Sequence, residues 1–361
     1  MVDKLRSFLN LNSSVFMFKT RKRKILYFIL FVLTVLFVVY FELIVYGIRQ
    51  GYGQAKILLG AKPVETFIQD PNYPDSLKAK LLLIGEIRKF AIDSLGLNDT
   101  DVYKKMYDQQ GKPVMWVVQA AEPYAMQSIK WKFPLIGAVP YKGFFREDLA
   151  RKLENELKDK GKDVMVRNPG GWSTLGWFND PILSNMLKRS DGDLAALIIH
   201  EMVHTTMFIK DSIDFNENLA NFIGDWGAGE FLKYKYGTSS KQYFEFTHDD
   251  EDYNLFAEHM VRGTAQLDSL YKTFSADLSD ERRKQTKEEM IKQIIFNLDT
   301  LSLVTIKNPS ERFKNYLPNN AYFMSFMHYE AKQNFFEAEC EAKFKGDRKK
   351  YLAYLKDKYQ P

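Results

Sequence analysis

The amino-acid sequence predicts an α+β fold in which a small sheet is followed by a mostly helical region, with one N-terminal transmembrane helix. Three observations carry this. An almost wholly apolar run occupies Ile25–Val45, strand-like segments fall between Pro113 and Arg167, and helical periodicity dominates from Asp193 onward. Strands first and helices after, without alternation, is the α+β order.

The chain opens with a basic segment, residues 1–24. Ile25–Val45 is interrupted only by Thr34 and Glu42, and as one helix it would run about 31 Å, enough to cross the hydrocarbon core of a bilayer. Arg21-Lys22-Arg23-Lys24 stands directly before it, with Lys4, Arg6 and Lys19 further back. By the positive-inside rule the N-terminus is cytoplasmic. Residues 25–47 are then a single-pass anchor in the inner membrane, and residues 48–361 form one extracytoplasmic domain. A cleaved signal peptide is the competing reading, but the apolar stretch exceeds the usual core of about 7–15 residues and no small-residue cleavage site follows cleanly.

After the anchor, Gly47 to Gly60 reads as a short juxtamembrane stretch, and Asp75 to Leu95 as a helix ending at Gly96. Pro113–Ala120 and Phe133–Tyr141 have strand composition, separated by turn residues around Glu122-Pro123. Asp163–Arg167 is a further strand entering the Asn168-Pro169-Gly170-Gly171 turn. The segment 172–181 gathers Trp172, Trp177 and Phe178 around Gly176. A sheet edge there could hold an extended peptide through main-chain hydrogen bonds, while the rings read equally as core. Apolar positions recur at helical spacing from Asp193 to Lys210, and again through Phe215, Leu219, Phe222, Ile223 and Trp226. The few residues from Lys210 to Asp214 favour antiparallel packing of these two helices. A long charged helical pair follows at Tyr243–Phe274 and Ser279–Leu301.

The net charge of +5 belongs to the N-terminus: residues 1–24 hold seven basic residues and one acidic one, a balance of +6, leaving −1 for everything else. No basic patch interleaved with aromatics remains, which argues against nucleic acid as a partner. The single cysteine, Cys340, excludes an intrachain disulfide.

His200-Glu201-Met202-Val203-His204 spells H-E-x-x-H inside a helical run. Histidines four apart lie one above the other on a helix face, so both rings can reach one ion, and the intervening glutamate can reach water held there. Two histidines with an acid between them on an otherwise apolar helix are costly to bury without a metal or strong hydrogen-bond partners. The chemistry such a set implies is zinc-dependent hydrolysis. A catalytic zinc keeps three protein ligands. His248, His259 and His328 are far downstream, whereas Asp211, Asp214 and Glu217 are close. Glu217, opening the second helix, is the candidate third ligand. Asp214-x-x-Glu217 also reads as a capping box, which would turn the same carboxylate back to the helix end. Asn221, one turn on, could fix a histidine tautomer or lie in solvent.

Several segments together resemble a family of bacterial predicted aminopeptidases of the zincin type, proteins of the cell envelope. They are Gly53-Gln54-Ala55, F-P-L-I-G-A-V-P-Y-K-G-F-F at 133–145, S-T-L-G-W-F-N-D-P at 173–181, L-I-I-H-E-M-V-H at 197–204, D-F-N-E-N-L-A at 214–220, and Asn319-Asn320-Ala321 followed by Tyr329. The order is colinear from about residue 45 to about residue 340. The resemblance implies a zincin-like fold with Zn2+ on His200, His204 and Glu217, Glu201 as general base, and Asn319, Asn320 and Tyr329 as substrate or oxyanion contacts. Family members more often read H-E-L-A-H and N-E-S, so the neighbours of the metal differ here while the ligands stand. Tyr322 and His328 share the late segment with Tyr329 as alternative oxyanion donors. Glu122 is a candidate for the substrate's free α-amine and the Gly176 backbone for the peptide itself. The expectation is a membrane-anchored zinc aminopeptidase acting on peptides. A zinc endopeptidase on the same scaffold and an anchored interaction protein with a structural metal are the alternatives. Side-chain preference and oligomeric state leave no trace in the sequence.

Overall fold

The computed structural model describes residues 2–133, 137–169, 179–209, 212–327 and 333–359, in two units, Met1–Lys56 and Ile57–Pro361.

In the first unit, helix α1 (Val2–Val39) and helix α2 (Phe41–Gly60) meet at Tyr40, where Arg21–Val39 and Phe41–Gly60 are bent by 76°. This corrects one expectation, since the helix breaks inside the run predicted as one span; the stretch Gly47–Gly60 is helical. Neither proline nor glycine stands at the break, so the usual sequence signals for a kink are missing. The uncharged part of α1, Ile25–Val39, measures only about 22 Å, short of a hydrocarbon core of about 30 Å. Among the described residues no single helix is long and apolar enough to cross a membrane, whereas the bent pair taken together is. The large apolar side chains from Ile25 to Phe41 are exposed.

The larger unit holds the strands β1 (Lys62–Pro63), β2 (Lys105–Tyr107), β3 (Trp116–Ala121), β4 (Trp131–Phe133), β5 (Gly137–Val139), β6 (Tyr141–Phe144), β7 (Asp163–Arg167) and β8 (Ile182–Leu183). β3 is central between β6 and β7, antiparallel to both, with Val118 facing Lys142 on one side and Val166 on the other. β2 joins β1 antiparallel and β8 parallel, and β4 pairs with β5. The run predicted as one strand at Phe133–Tyr141 is therefore divided among β4, β5 and β6. Gly137 at φ +84° supplies a backbone conformation that a side chain resists.

Helices make up the rest: α3 (Val64–Gln69), α4 (Asp75–Asp93), α5 (Glu147–Asp159), α6 (Asp191–Thr206), α7 (Ile213–Tyr236), α8 (Lys241–Lys272), α9 (Asp280–Phe296), α10 (Asn320–Met324), α11 (Gln333–Phe344) and α12 (Arg348–Tyr359). α4 ends at Asp93, two residues short of the predicted Leu95, with Ser94 as its C-cap, and the chain turns away at Gly96 with φ +71°. Ser190 caps α6, its hydroxyl accepting from the Asp193 N–H at 3.0 Å. Asp191 in the first turn ties three helices, accepting from Lys80 of α4 at 2.5 Å and from the Tyr236 hydroxyl of α7 at 2.8 Å.

α6 and α7 run antiparallel, since His204 meets Glu217 near one end while Ile199 meets Gly227 further along. Their approach is close enough to require glycine. A Cβ on Gly224 would stand 2.9 Å from the Ala196 carbonyl oxygen and 3.2 Å from His200 Cβ, and one on Gly227 2.8 Å from Leu95. Leu194, Ile198, Ile199, Met202, Leu219, Ile223 and Phe231 fill the core around this pair. A second core joins α8, α9 and α10 through Met260, Leu267, Ile291, Ile294 and Phe323. There the buried Asp252 carboxylate accepts from the N–H groups of Val304, Thr305 and Ile306, which fastens the loop after α9 to α8.

Gly224→Ala and Gly229→Ala should therefore diverge. Both gain roughly 1 kcal/mol of helix propensity. At Gly229 a Cβ meets nothing within 4 Å, and thermal unfolding should shift upward. At Gly224 the clash with backbone costs about 1–3 kcal/mol, and the midpoint should fall. Equal shifts would contradict the helix spacing described.

Candidate metal centre

α6 places His200 and His204 four residues apart on the face turned to α7, and α7 brings Glu217 to them from its first turns. His204 Nε2 lies 3.1 Å from His200 Nε2, His200 Nε2 lies 3.5 Å from Glu217 Oε2, and His204 Nε2 lies 3.3 Å from Glu217 Oε1. A tetrahedral ion with bonds of about 2.1 Å has ligand-to-ligand edges of about 3.4 Å. The three edges therefore match one ion held by two imidazoles and a carboxylate. Among the described residues these three form a group able to hold a metal.

The local sequence explains the placement. α7 begins at Ile213 with Ser212 as its N-cap, so Asp214 lies inside the helix and the Glu217 carboxylate is engaged by the histidines instead of the helix end. Asn216 is buried and closes the loop between the two helices: the Ile209 N–H donates to its Oδ1 at 2.9 Å, and its Nδ2 donates to the Ile209 carbonyl at 2.7 Å. Asn221, one turn past Glu217, lies beside His200 and helps to raise its pKa. Glu201, between the two histidines on α6, is buried.

The electrostatics follow from this packing. Burial pushes Glu217 up, but hydrogen bonds from His200 and His204 and their charges prevail and hold its pKa at about 2. Burial pushes His200 down. Glu217, the Glu201 charge and Asn221 together outweigh it, so His200 holds its proton above its ordinary value of 6.5. Next to His200 a cavity of about 550 Å³ opens between α6, α7 and α8, lined by Asp193, Asn221, Gly224, Asp225, Phe246 and Asp250 among others. Asp225 is raised to about 6 by burial first and by the Asp250 charge second.

Other predicted residues have different roles. Glu122, expected to receive a substrate amine, is bound by Lys162 at 2.7 and 2.6 Å, so its charge is already paired. Asn320, expected to contact substrate, is fully buried. Its Nδ2 donates to the carbonyls of Glu122 and Pro123, and its Oδ1 accepts from Tyr271 at 2.8 Å. Asn319 donates to the Val164 carbonyl and caps α10. Both amides hold α10 against the sheet through these bonds. Tyr322 packs on Phe313 and Phe326, and burial pushes its hydroxyl up to about 12. His248 bonds the Phe244 carbonyl and His259 that of Ile294. Gly176, Trp172, Trp177, Phe178, Asp211, His328 and Tyr329 lie outside the described residues.

Residues that sequence reasoning missed are Asn216, Gly224 and Asp225. The last two stand seven and eight residues beyond Glu217 and hence on its face of α7, a spacing that was there to be read.

In metal-free protein, Glu217→Gln should bring the His200 titration midpoint down, because burial then meets less opposition. Imidazole proton shifts measured against pH by NMR check this; an unmoved midpoint would refute the pairing.

A family model described as "Putative aminopeptidase" matches residues 45–358. Searches of curated proteins and of solved structures found no match.

Proposed function

The chain belongs to the putative aminopeptidase family, and from that premise we propose that it is a membrane-attached, zinc-dependent aminopeptidase. The observation that carries the reading is the triad His200, His204 and Glu217, whose edges of 3.1–3.5 Å suit one tetrahedral ion. Two imidazoles and a carboxylate favour zinc among the common divalent ions.

The bound ion would supply Lewis-acid polarisation of the peptide carbonyl and acidify the attacking water. The remaining work belongs to the protein. His200, His204 and Glu217 would hold the ion. Asn221 keeps the His200 ring oriented. Glu201, one residue from His200 on the same helix, accepts the proton from the attacking water and returns it to the departing amine. Its burial keeps bulk water from competing for that proton.

In the same reading, the N-terminal unit attaches the enzyme to the cytoplasmic membrane. Arg21 to Lys24 lie at the anionic cytoplasmic face, and the peptidase unit lies on the opposite side. The exposed apolar side chains from Ile25 to Phe41 and the combined length of the bent helix pair support this.

Glu201→Gln should retain about one zinc per chain by elemental analysis and lose peptide hydrolysis by at least about 10²-fold, while His204→Ala should lose both metal and activity. Turnover preserved in Glu201→Gln would refute the mechanism. The full chain should sediment with membranes and resist carbonate extraction, whereas a chain begun at Gly51 should not; equal behaviour of the two would refute the anchor.

A further inference from the structure

Tyr103 carries two costs that the fold leaves unrelieved. Its backbone stands at φ +61°, a left-handed conformation that an aromatic residue resists. Its side chain is 1% exposed, and among the described residues its hydroxyl has no hydrogen-bond partner. A buried hydroxyl in that condition has given up its bond to water for nothing in return. Phenylalanine would fill the same space without the unpaired oxygen, so packing alone does not account for the tyrosine.

The loop that carries it is pinned at both ends. The Asn98 N–H donates to the Thr206 hydroxyl at 3.0 Å, and that hydroxyl donates to the Met202 carbonyl at 2.8 Å, which fastens the start of the loop to the last turns of α6. The Arg88 guanidinium of α4 donates to the Val102 carbonyl, and the Tyr103 N–H donates to the Asp180 carbonyl at 2.9 Å, just before β8. Residues 98–103 are thereby held against α4, α6 and the start of β8. Two buried carboxylates, Glu201 of α6 and Asp180, act on the Tyr103 hydroxyl from this surround. Burial first, the Glu201 charge second and the Asp180 charge third hold its pKa well above the ordinary value of 10. The hydroxyl therefore keeps its proton and remains a donor, and the strongest charge acting on it is that of Glu201.

We propose that Tyr103 is a positioning residue for Glu201, its hydroxyl donating to the Glu201 carboxylate when zinc and peptide occupy the site. The assignment rests on the peptidase reading above. A side chain so enclosed does not touch substrate, so its contribution passes through another group. A carboxylate has acceptor positions on both oxygens. One oxygen of Glu201 can then face the attacking water while a fixed donor on the other sets its angle, as outer partners do for ligands at metal sites. Hydrogen bonds of this kind are often long or poorly aligned in ligand-free enzymes and tighten in the complex, which accounts for a donor that is unpaired while the site is empty of substrate. Backbone strain and an unspent polar group, both kept in place by the pinned loop, belong to a residue retained for function at some expense of stability.

The test is Tyr103→Phe in the full chain, zinc-loaded in detergent, with peptides bearing a free N-terminus. The expected kcat falls by about 10-fold or more, the effect of one hydrogen bond to a charged group, with KM held within about two-fold. The thermal midpoint of the metal-free protein should stay level or rise, because an unpaired oxygen has been removed. An unchanged kcat overturns the assignment while leaving the peptidase reading intact, and so does a loss confined to KM. A lowered midpoint also overturns it, since the hydroxyl would then be serving the fold. A further readout needs no turnover: 3-fluorotyrosine placed at position 103 gives a single fluorine resonance, which should move in metal-free protein when Glu201→Gln is introduced. A resonance that ignores Glu201→Gln but moves with Asp180→Asn would make Asp180 the partner and overturn the assignment. Absence of cleavage of any peptide by the zinc-loaded, unaltered chain would defeat the peptidase reading itself, and this assignment with it.

Discussion

The close approach of α6 and α7 is the constraint on which the site depends. Glu217 and the two histidines come from different helices, so the edges of the triad are set by the distance between helix axes. That distance is set by the lack of a side chain at Gly224, where the Ala196 carbonyl leaves no room for one. The buried contacts of Ile198, Ile199, Leu219 and Ile223 then hold the pair at that spacing. Packing of this kind is stiff, because interiors are near crystal density and yield little to added volume. Asn216 performs the matching task at the turn. By accepting and donating to Ile209 it fixes where α7 begins, and so which residue of α7 faces the histidines.

Much of this was legible in the sequence. H-E-x-x-H, the following amphipathic helix and the short connection predicted antiparallel helices with Glu217 beside the histidines, because helical periodicity fixes which residues share a face. β7 at Asp163–Arg167 and the turn at Gly96 after α4 were read from strand composition and a glycine stop. The family resemblance over residues from about 45 agrees with the family match at 45–358.

What failed did so for identifiable reasons. Tyr40 carries no breaker residue, so the bend between α1 and α2 had no local signature. The Asn319-Asn320 pair looked chemical because amides are versatile, yet amides serve equally well to satisfy buried main chain. Only the fold reveals that Glu122, Pro123, Val164 and Tyr271 converge on them. Glu122 has the same history: whether a carboxylate is available depends on a lysine forty residues away in sequence, Lys162. Asp225 went unread for the opposite reason. An acid on an amphipathic helix normally faces solvent, and its enclosure arises from α8, which arrives later in the chain.

The triad of His200, His204 and Glu217 also bears on the order of assembly. Its charges compensate one another through direct hydrogen bonds, and the surrounding helices have a core of their own. Pairing of these charges therefore does not by itself require an ion, in contrast to small zinc domains whose ligands are brought together only by theirs. Any cation taken up at the triad would have to displace the proton held on His200, so uptake would be favoured by mildly alkaline surroundings and opposed by acidic ones.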